Sequence, residues 1–172
     1  MLIKMKRKNF YNNSGISILE VVVAMMIITM GMVGVLSLVI QNIEAQYINK
    51  NVLIASGLAQ EGLELVRNIR DLNWLTPSNA WNQSIVGDGT YTIDYGGNIN
   101  MAVNSINEAG AKLHINGIGL YTHTVTATPT NFYRLIEVVD NGSYLDVKAT
   151  IRWKDGTQNH NYTGETYLYN WR

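Results

Sequence analysis

Apolar and polar positions follow three regimes along the chain. From Ile16 to Ile43 the sequence reads ISILEVVVAMMIITMGMVGVLSLVIQNI, and Glu20 is its only charged residue. After Ile43 the apolar positions thin to a stripe of Ile48, Val52, Ala55, Ala59, Leu63, Val66 and Ile69. Their spacings of three and four are the signature of a helix with one buried face. Glu44, Lys50, Gln60, Glu61, Glu64, Arg67 and Arg70 supply its other faces. No proline occurs between residues 16 and 76, so the simplest reading is one continuous helix from about 16 to 72. Asn73 and Pro77 mark its end and the start of an irregular connector.

Beyond residue 88 the period drops to two. Strands are expected over Thr90–Tyr95, once or twice within Lys112–Thr128, and then over Phe132–Val139, Tyr144–Lys154 and Tyr162–Trp171. In the middle of the last three, Leu145, Val147, Ala149, Ile151 and Trp153 alternate with Asp146, Lys148, Thr150, Arg152 and Lys154. Such alternation places one face on a core and the other in water. Asn141-Gly142 and Asp155-Gly156 suit tight hairpins because these residues tolerate positive φ. The predicted fold class is α+β: a long N-terminal helix whose rear half packs on a C-terminal antiparallel β-sheet.

The front half of that helix asks for a solvent other than water. Twenty-eight residues at 1.5 Å each extend roughly 40 Å, more than the ~30 Å hydrocarbon core of a bilayer. A secretory signal has a shorter apolar region of about 7–15 residues and then a small-residue cleavage site, which this run lacks. Lys4, Lys6, Arg7 and Lys8 precede the run and predict a single span with its N-terminus in the cytoplasm and its C-terminus outside. Formal charge over the 172 residues is zero, with 13 basic and 13 acidic side chains. Loss of that basic cluster would leave the remainder mildly acidic.

Glu20 is the anomaly in this segment. A carboxylate carried to the bilayer centre costs about 2.5–3.5 kcal/mol, and less near an interface. Two readings stand: Glu20 lies shallow enough to reach the interface, or it meets a cationic partner inside a protein assembly.

Gly15-Ile16-Ser17-Ile18-Leu19-Glu20-Val21-Val22-Val23-Ala24, following the basic cluster, resembles the processing site of type IV pilins and type II secretion pseudopilins. Leu58–Arg70 looks, more softly, like the second half of the N-terminal helix of minor pilins. Ile16-Ser17 stands where that family more often has Phe-Thr. The resemblance covers roughly the first 70 residues, and it implies a pilin-like roll. It also implies that a prepilin peptidase cuts between Gly15 and Ile16 and methylates the new amine of Ile16. Glu20 would then lie fifth in the mature chain, where it would pair with an amine and fix subunit register during assembly.

The resulting organisation is a leader over 1–15, a transmembrane or filament-core helix over 16–43, its amphipathic continuation over 44–73, and an extracytoplasmic β-rich domain over 74–172. Implied partners are the peptidase, other pilin subunits, an inner-membrane assembly platform and the lipid bilayer. Implied locations are the cytoplasmic membrane before assembly and a cell-surface filament after it. Adhesion, motility, DNA uptake and secretion all remain open as roles. A secretion pseudopilin and a membrane-anchored binding domain that never polymerises are the alternatives.

The rest of the sequence carries little chemistry. There are no cysteines, hence no disulfide framework and no thiol nucleophile. His114, His123 and His160 are scattered without metal-ligand spacing and read as surface or half-buried residues. No nucleophile elbow, phosphate-binding glycine loop or paired catalytic carboxylates occur, so neither an enzyme nor a cofactor is expected. No basic stripe supports a nucleic-acid partner. Trp74 and Trp81 are expected to anchor the connector to the domain. Tyr162, Tyr167 and Tyr169 read as ordinary strand residues, with an exposed adhesive face as the sharper alternative.

Overall fold

The computed structural model describes residues 15–85, 87–100 and 102–171. All of the predicted leader except Gly15, including the basic cluster at Lys4 to Lys8, lies outside the described residues. The chain divides into two units, the first ending at Gln46 and the second running from Tyr47. One α-helix, α1 (Ile18–Leu75), runs from the first unit into the second.

In the first unit the residues from Gly15 to Gln46 are all exposed, whatever their polarity. Met25, Ile27, Met30, Val33 and Leu36 each leave more than half of their surface open. Thr29 and Ser37 return their hydroxyls to the carbonyls of Met26 and Val33, at 2.9 and 3.1 Å, which removes two polar groups from the helix surface. A Cβ added at Gly31 or Gly34 would meet nothing within 4 Å.

The second unit is an α+β arrangement. Its strands are β1 (Gly89–Ile93), β2 (Ile99–Asn100), β3 (Lys112–Ile115), β4 (Tyr121–Thr122), β5 (Thr128–Asp140), β6 (Tyr144–Asp155) and β7 (Gln158–Tyr169), all paired antiparallel. β5, β6 and β7 form the expected meander, but the sheet is more than a meander. The far edge of β5 is shared: β3 pairs with its first half and β1 with its second. Where β3 shifts register between Lys112 and His114, Thr130 Oγ1 donates to the Leu113 carbonyl at 2.7 Å. Pro129 sits at the start of β5, where a missing N–H is tolerated.

Alternation in β6 runs as its sequence predicts. Leu145, Val147, Ala149, Ile151 and Trp153 are buried, each exposing 3% or less. Gly142 and Gly156 carry the positive φ of the two hairpins at 77° and 55°, while Asn141 and Asp155 do not. Asp140 instead closes the first turn by accepting the Gly142 N–H at 2.8 Å.

The buried face of α1 is rotated from the expected stripe. Ala55, Ala59 and Val66 are buried as expected, but Ile48 and Val52 are 40% and 37% exposed, and Leu63 and Ile69 are only half-buried. Asn51, Leu58, Gly62, Arg70 and Asn73 complete the inner face. Close approach is the reason. A Cβ at Gly62 would lie 2.9 Å from Ile136 Cδ1 and 3.3 Å from Arg134 Cδ, and one at Gly164 of β7 would lie 3.5 Å from Ala59 Cβ. Small residues bring the helix down onto β5, β6 and β7, and larger apolar ones flank the contact.

All seventeen residues of the hydrophobic core cluster come from the second unit, the first of them Ala55. A fragment of residues 47–172 is therefore expected to stay soluble without detergent and to unfold in one cooperative transition. Thermal melts followed by circular dichroism check this, and a fragment lacking such a transition would place part of the folding information before Tyr47.

Candidate processing site and buried polar groups

Gly15, Ile16 and Ser17 precede α1 and are exposed, so the peptide bond expected to be cut lies outside helical structure. Ile16 leaves 76% of its surface open, and a Cβ at Gly15 would meet nothing within 4 Å. Ser17 caps the helix. Its Oγ accepts the Leu19 N–H at 3.3 Å, and its carbonyl accepts the N–H groups of Glu20 and Val21 at 3.0 and 3.2 Å.

Glu20 stands in the first turn of α1 and is exposed. There a carboxylate meets the positive end of the helix dipole, which contributes about 0.3–1 kcal/mol at an exposed site. Ser17-x-x-Glu20 is also the spacing of a capping box, in which the acidic residue reaches back to the cap. That local role for Glu20 was open to sequence reasoning and absent from it. The structure thus brings the expected cleavage site, the capping Ser17 and Glu20 together at one helix start. By length and composition, α1 is a candidate single membrane span.

The second unit holds several polar side chains in its interior. Arg134 points inward from β5, between Phe132 and Ile136, and is fully buried. Its guanidinium donates to the carbonyls of Ile93 at 2.8 Å and Leu58 at 3.4 Å, and it pairs with Glu61 at 3.2 Å. One side chain so ties α1, β1 and β5 together. Glu61 had been expected on the outer helix face, and it is 37% exposed. Arg70, expected on the same face, is instead only 8% exposed, paired with Asp71 at 2.8 Å and lying 4.4 Å over the Trp74 ring.

Of the three histidines, His114 is buried rather than at the surface, and its Nδ1 has no partner. His160 is half-buried and stacks on Trp153 at 5.4 Å. His123 follows β4, and Asp94 Oδ1 accepts its backbone N–H at 2.7 Å while Asp94 Oδ2 accepts the Thr122 hydroxyl at 3.3 Å. Neither ring nitrogen of His123 reaches a partner in hydrogen-bonding geometry. Burial and then the nearby Arg134 charge push its pKa down from 6.5 to about 4, against a weaker pull from Asp94 and the backbone of Lys112 and Gly110.

Tyr144, Tyr167 and Tyr169 form a cluster on the outer face of β6 and β7, with Tyr144 at 5.6 Å from Tyr167 and 5.3 Å from Tyr169. Tyr167 and Tyr169 are each 51% exposed, whereas Tyr162 is half-buried against the core. Trp81 is likewise partly buried against the core, as expected of an anchor. No family model, curated protein or solved structure matches the chain.

Proposed function

We propose that this protein is a structural subunit of a type IV pilus-like filament, a minor pilin or pseudopilin, freed by a prepilin peptidase that cuts between Gly15 and Ile16. The observation that carries the reading is a wholly exposed apolar helix start bearing one carboxylate, Glu20, five residues beyond an exposed Gly15. Apolar surface of this extent is stable only in a bilayer or against other subunits. Membership of a filament accounts for both, because the same helix leaves the lipid and enters a protein core. Filament type and downstream role follow from partners outside this chain.

In this reading the chain itself performs no chemistry. Its leader is the substrate of the peptidase, and Gly15 suits the scissile position because its backbone admits close approach. Cutting creates an amine at Ile16, and Glu20 compensates that charge, or the same charge on a neighbouring subunit, where water is excluded. The competing reading is a single-pass anchored domain that never assembles, favoured by the local capping role available to Glu20.

Two substitutions separate these readings. Glutamine at a capping box still reaches back to the cap, so Glu20→Gln keeps the local role and removes the charge. Under the proposal Glu20→Gln and Glu20→Ala are both clipped normally and both recovered at least tenfold less often in sheared filaments. Normal incorporation of Glu20→Gln would leave the carboxylate a helix cap and nothing more.

A further inference from the structure

We propose that the turn between β3 and β4, together with the loop that follows β4, is a second membrane contact that seats the second unit on the bilayer surface. Ile118 and Val125 are each 77% exposed, Tyr95 51% and Leu120 42%. They belong to one patch. A hollow of about 290 Å³ is lined by Tyr95, by Gly117 next to Ile118, and by Thr124 and Thr126 on either side of Val125. Core packing does not account for apolar side chains gathered in the open, whereas a surface that covers them does.

Strand register places this patch at one end of the second unit. β3 ends at Ile115 opposite Thr128, the first residue of β5, so the turn over 116–120 projects beyond the start of β5. α1 runs in the same direction as β5 and β7. Leu58 and Gly62 lie against Arg134 and Ile136, Ala59 and Leu63 against Gly164, and Trp74 reaches Asn170. The start of β5 therefore marks the end at which the chain enters the unit, at Tyr47. The apolar run stops four positions earlier, at Ile43. A bilayer that holds residues 16–43 meets this end of the unit first.

The backbone of the patch favours lipid over a protein partner. A loop that enters a bilayer must satisfy its own polar groups, because lipid tails offer nothing in return. The Asn116 and Gly119 N–H groups donate to the carbonyls of Leu120 and Asn116, each at 3.0 Å. Those of Ile118 and Leu120 donate to Asn116 Oδ1 at 3.1 and 2.9 Å. Gly119 supplies the φ of 87° that the turn requires. In the second loop the His123, Thr124 and Ala127 N–H groups are held by Asp94, Thr122 and Thr124. A partner adding a strand would find these donors taken. Composition agrees: exposed aliphatic tips beside threonine hydroxyls and tyrosines suit the boundary between headgroups and acyl chains, where Tyr is enriched. Charge at this end is confined. Asp94 is engaged by His123 and Thr122, and Lys154 and Asp155 close β6 with one charge of each sign.

The contact rests on the membrane span and not on leader cleavage, so its failure would leave the filament reading untouched. The chain has no cysteine, so single cysteines can be labelled without interference. Ile118→Cys, Val125→Cys and Ser143→Cys, the last an exposed control on the turn between β5 and β6 at the opposite end, each receive an environment-sensitive fluorophore. The full chain is reconstituted, at low protein-to-lipid ratio, into vesicles of phosphatidylethanolamine and phosphatidylglycerol. Flotation with the vesicles confirms the span separately, and a chain that fails to float overturns span and contact together. Labels at 118 and 125 are expected to be quenched by lipids with spin-labelled tails. Iodide should quench them at least about threefold less than the label at 143, which shares their distribution of orientations. Equal iodide quenching at all three positions would overturn the proposal. Protection from both iodide and the spin-labelled lipids would also overturn it, since protein and not lipid would then cover the patch.

Discussion

Glu61→Ala is expected to cost the second unit about 3 kcal/mol of stability, the lower end of what breaking a buried ion pair costs. The loss arises at Arg134, not at the position changed. Arg134 is fully buried, and its remaining bonds run to the carbonyls of Ile93 and Leu58, which carry only partial charge. Without Glu61 a whole positive charge stays in the interior uncompensated. The figure sits at the lower end because Glu61 is 37% exposed, so water already weakens the pair. Glu61→Leu with Arg134→Leu removes both charges and should recover most of the loss, since well-packed apolar replacements of buried pairs are often neutral. Urea unfolding of residues 47–172 reads both values. A Glu61→Ala fragment within about 0.5 kcal/mol of the parent, the scatter of ordinary surface substitutions, would mean that the two carbonyls alone hold Arg134.

Acid is expected to destabilise the same unit through His123. Its pKa is lowered in the folded state to about 4 from 6.5, so the unfolded chain binds the proton first as pH falls. The contribution of neutral His123 to stability is therefore full above 6.5, declines as pH drops through the window, and is lost below about 4. A shift of this size corresponds to about 3 kcal/mol at most, because one pKa unit is about 1.4 kcal/mol. The groups that set the shift are burial first and then the Arg134 charge, with Asp94 opposing. His123→Phe keeps an aromatic ring and removes the titration, so its unfolding free energy should fall less steeply across the window. Equal slopes for parent and variant would show that His123 is protonated without cost, and would remove the link between His123 and the buried arginine.

Much of this architecture can be read from spacing alone, and what cannot has physical causes. β6 was legible because every second residue is apolar over its length, and a sheet with one wet face permits no other register. The exposed helix start was legible because its length and lack of charge exceed what a globular core accommodates. The buried face of α1 was misread at Ile48 and Val52, where apolar residues on several faces leave no clear periodicity. It was misread again at Gly62 and Arg70, because close approach favours the smallest side chain and the Arg70 guanidinium is held between Asp71 and the Trp74 ring. Arg134 was in principle visible as the one charged member of the inward row Phe132, Arg134, Ile136 and Val138. Its partner was not, because Glu61 lies 73 positions earlier and only the folded chain brings the two together. β2, two residues long, gives no period to detect. At the helix start the sequence supplied Gly15, Ile16 and Glu20, and the Ser17-x-x-Glu20 spacing of a cap was legible there too but went unread.

The central claim is that the chain enters a prepilin pathway, and the intact mass of the membrane-extracted protein tests it most directly. The protein is produced with and without a prepilin peptidase and weighed from each. The account predicts loss of residues 1–15 together with gain of a methyl group, only where the peptidase is present. An unchanged mass in its presence would contradict the account and leave a single-pass anchored domain whose Glu20 serves the helix start alone.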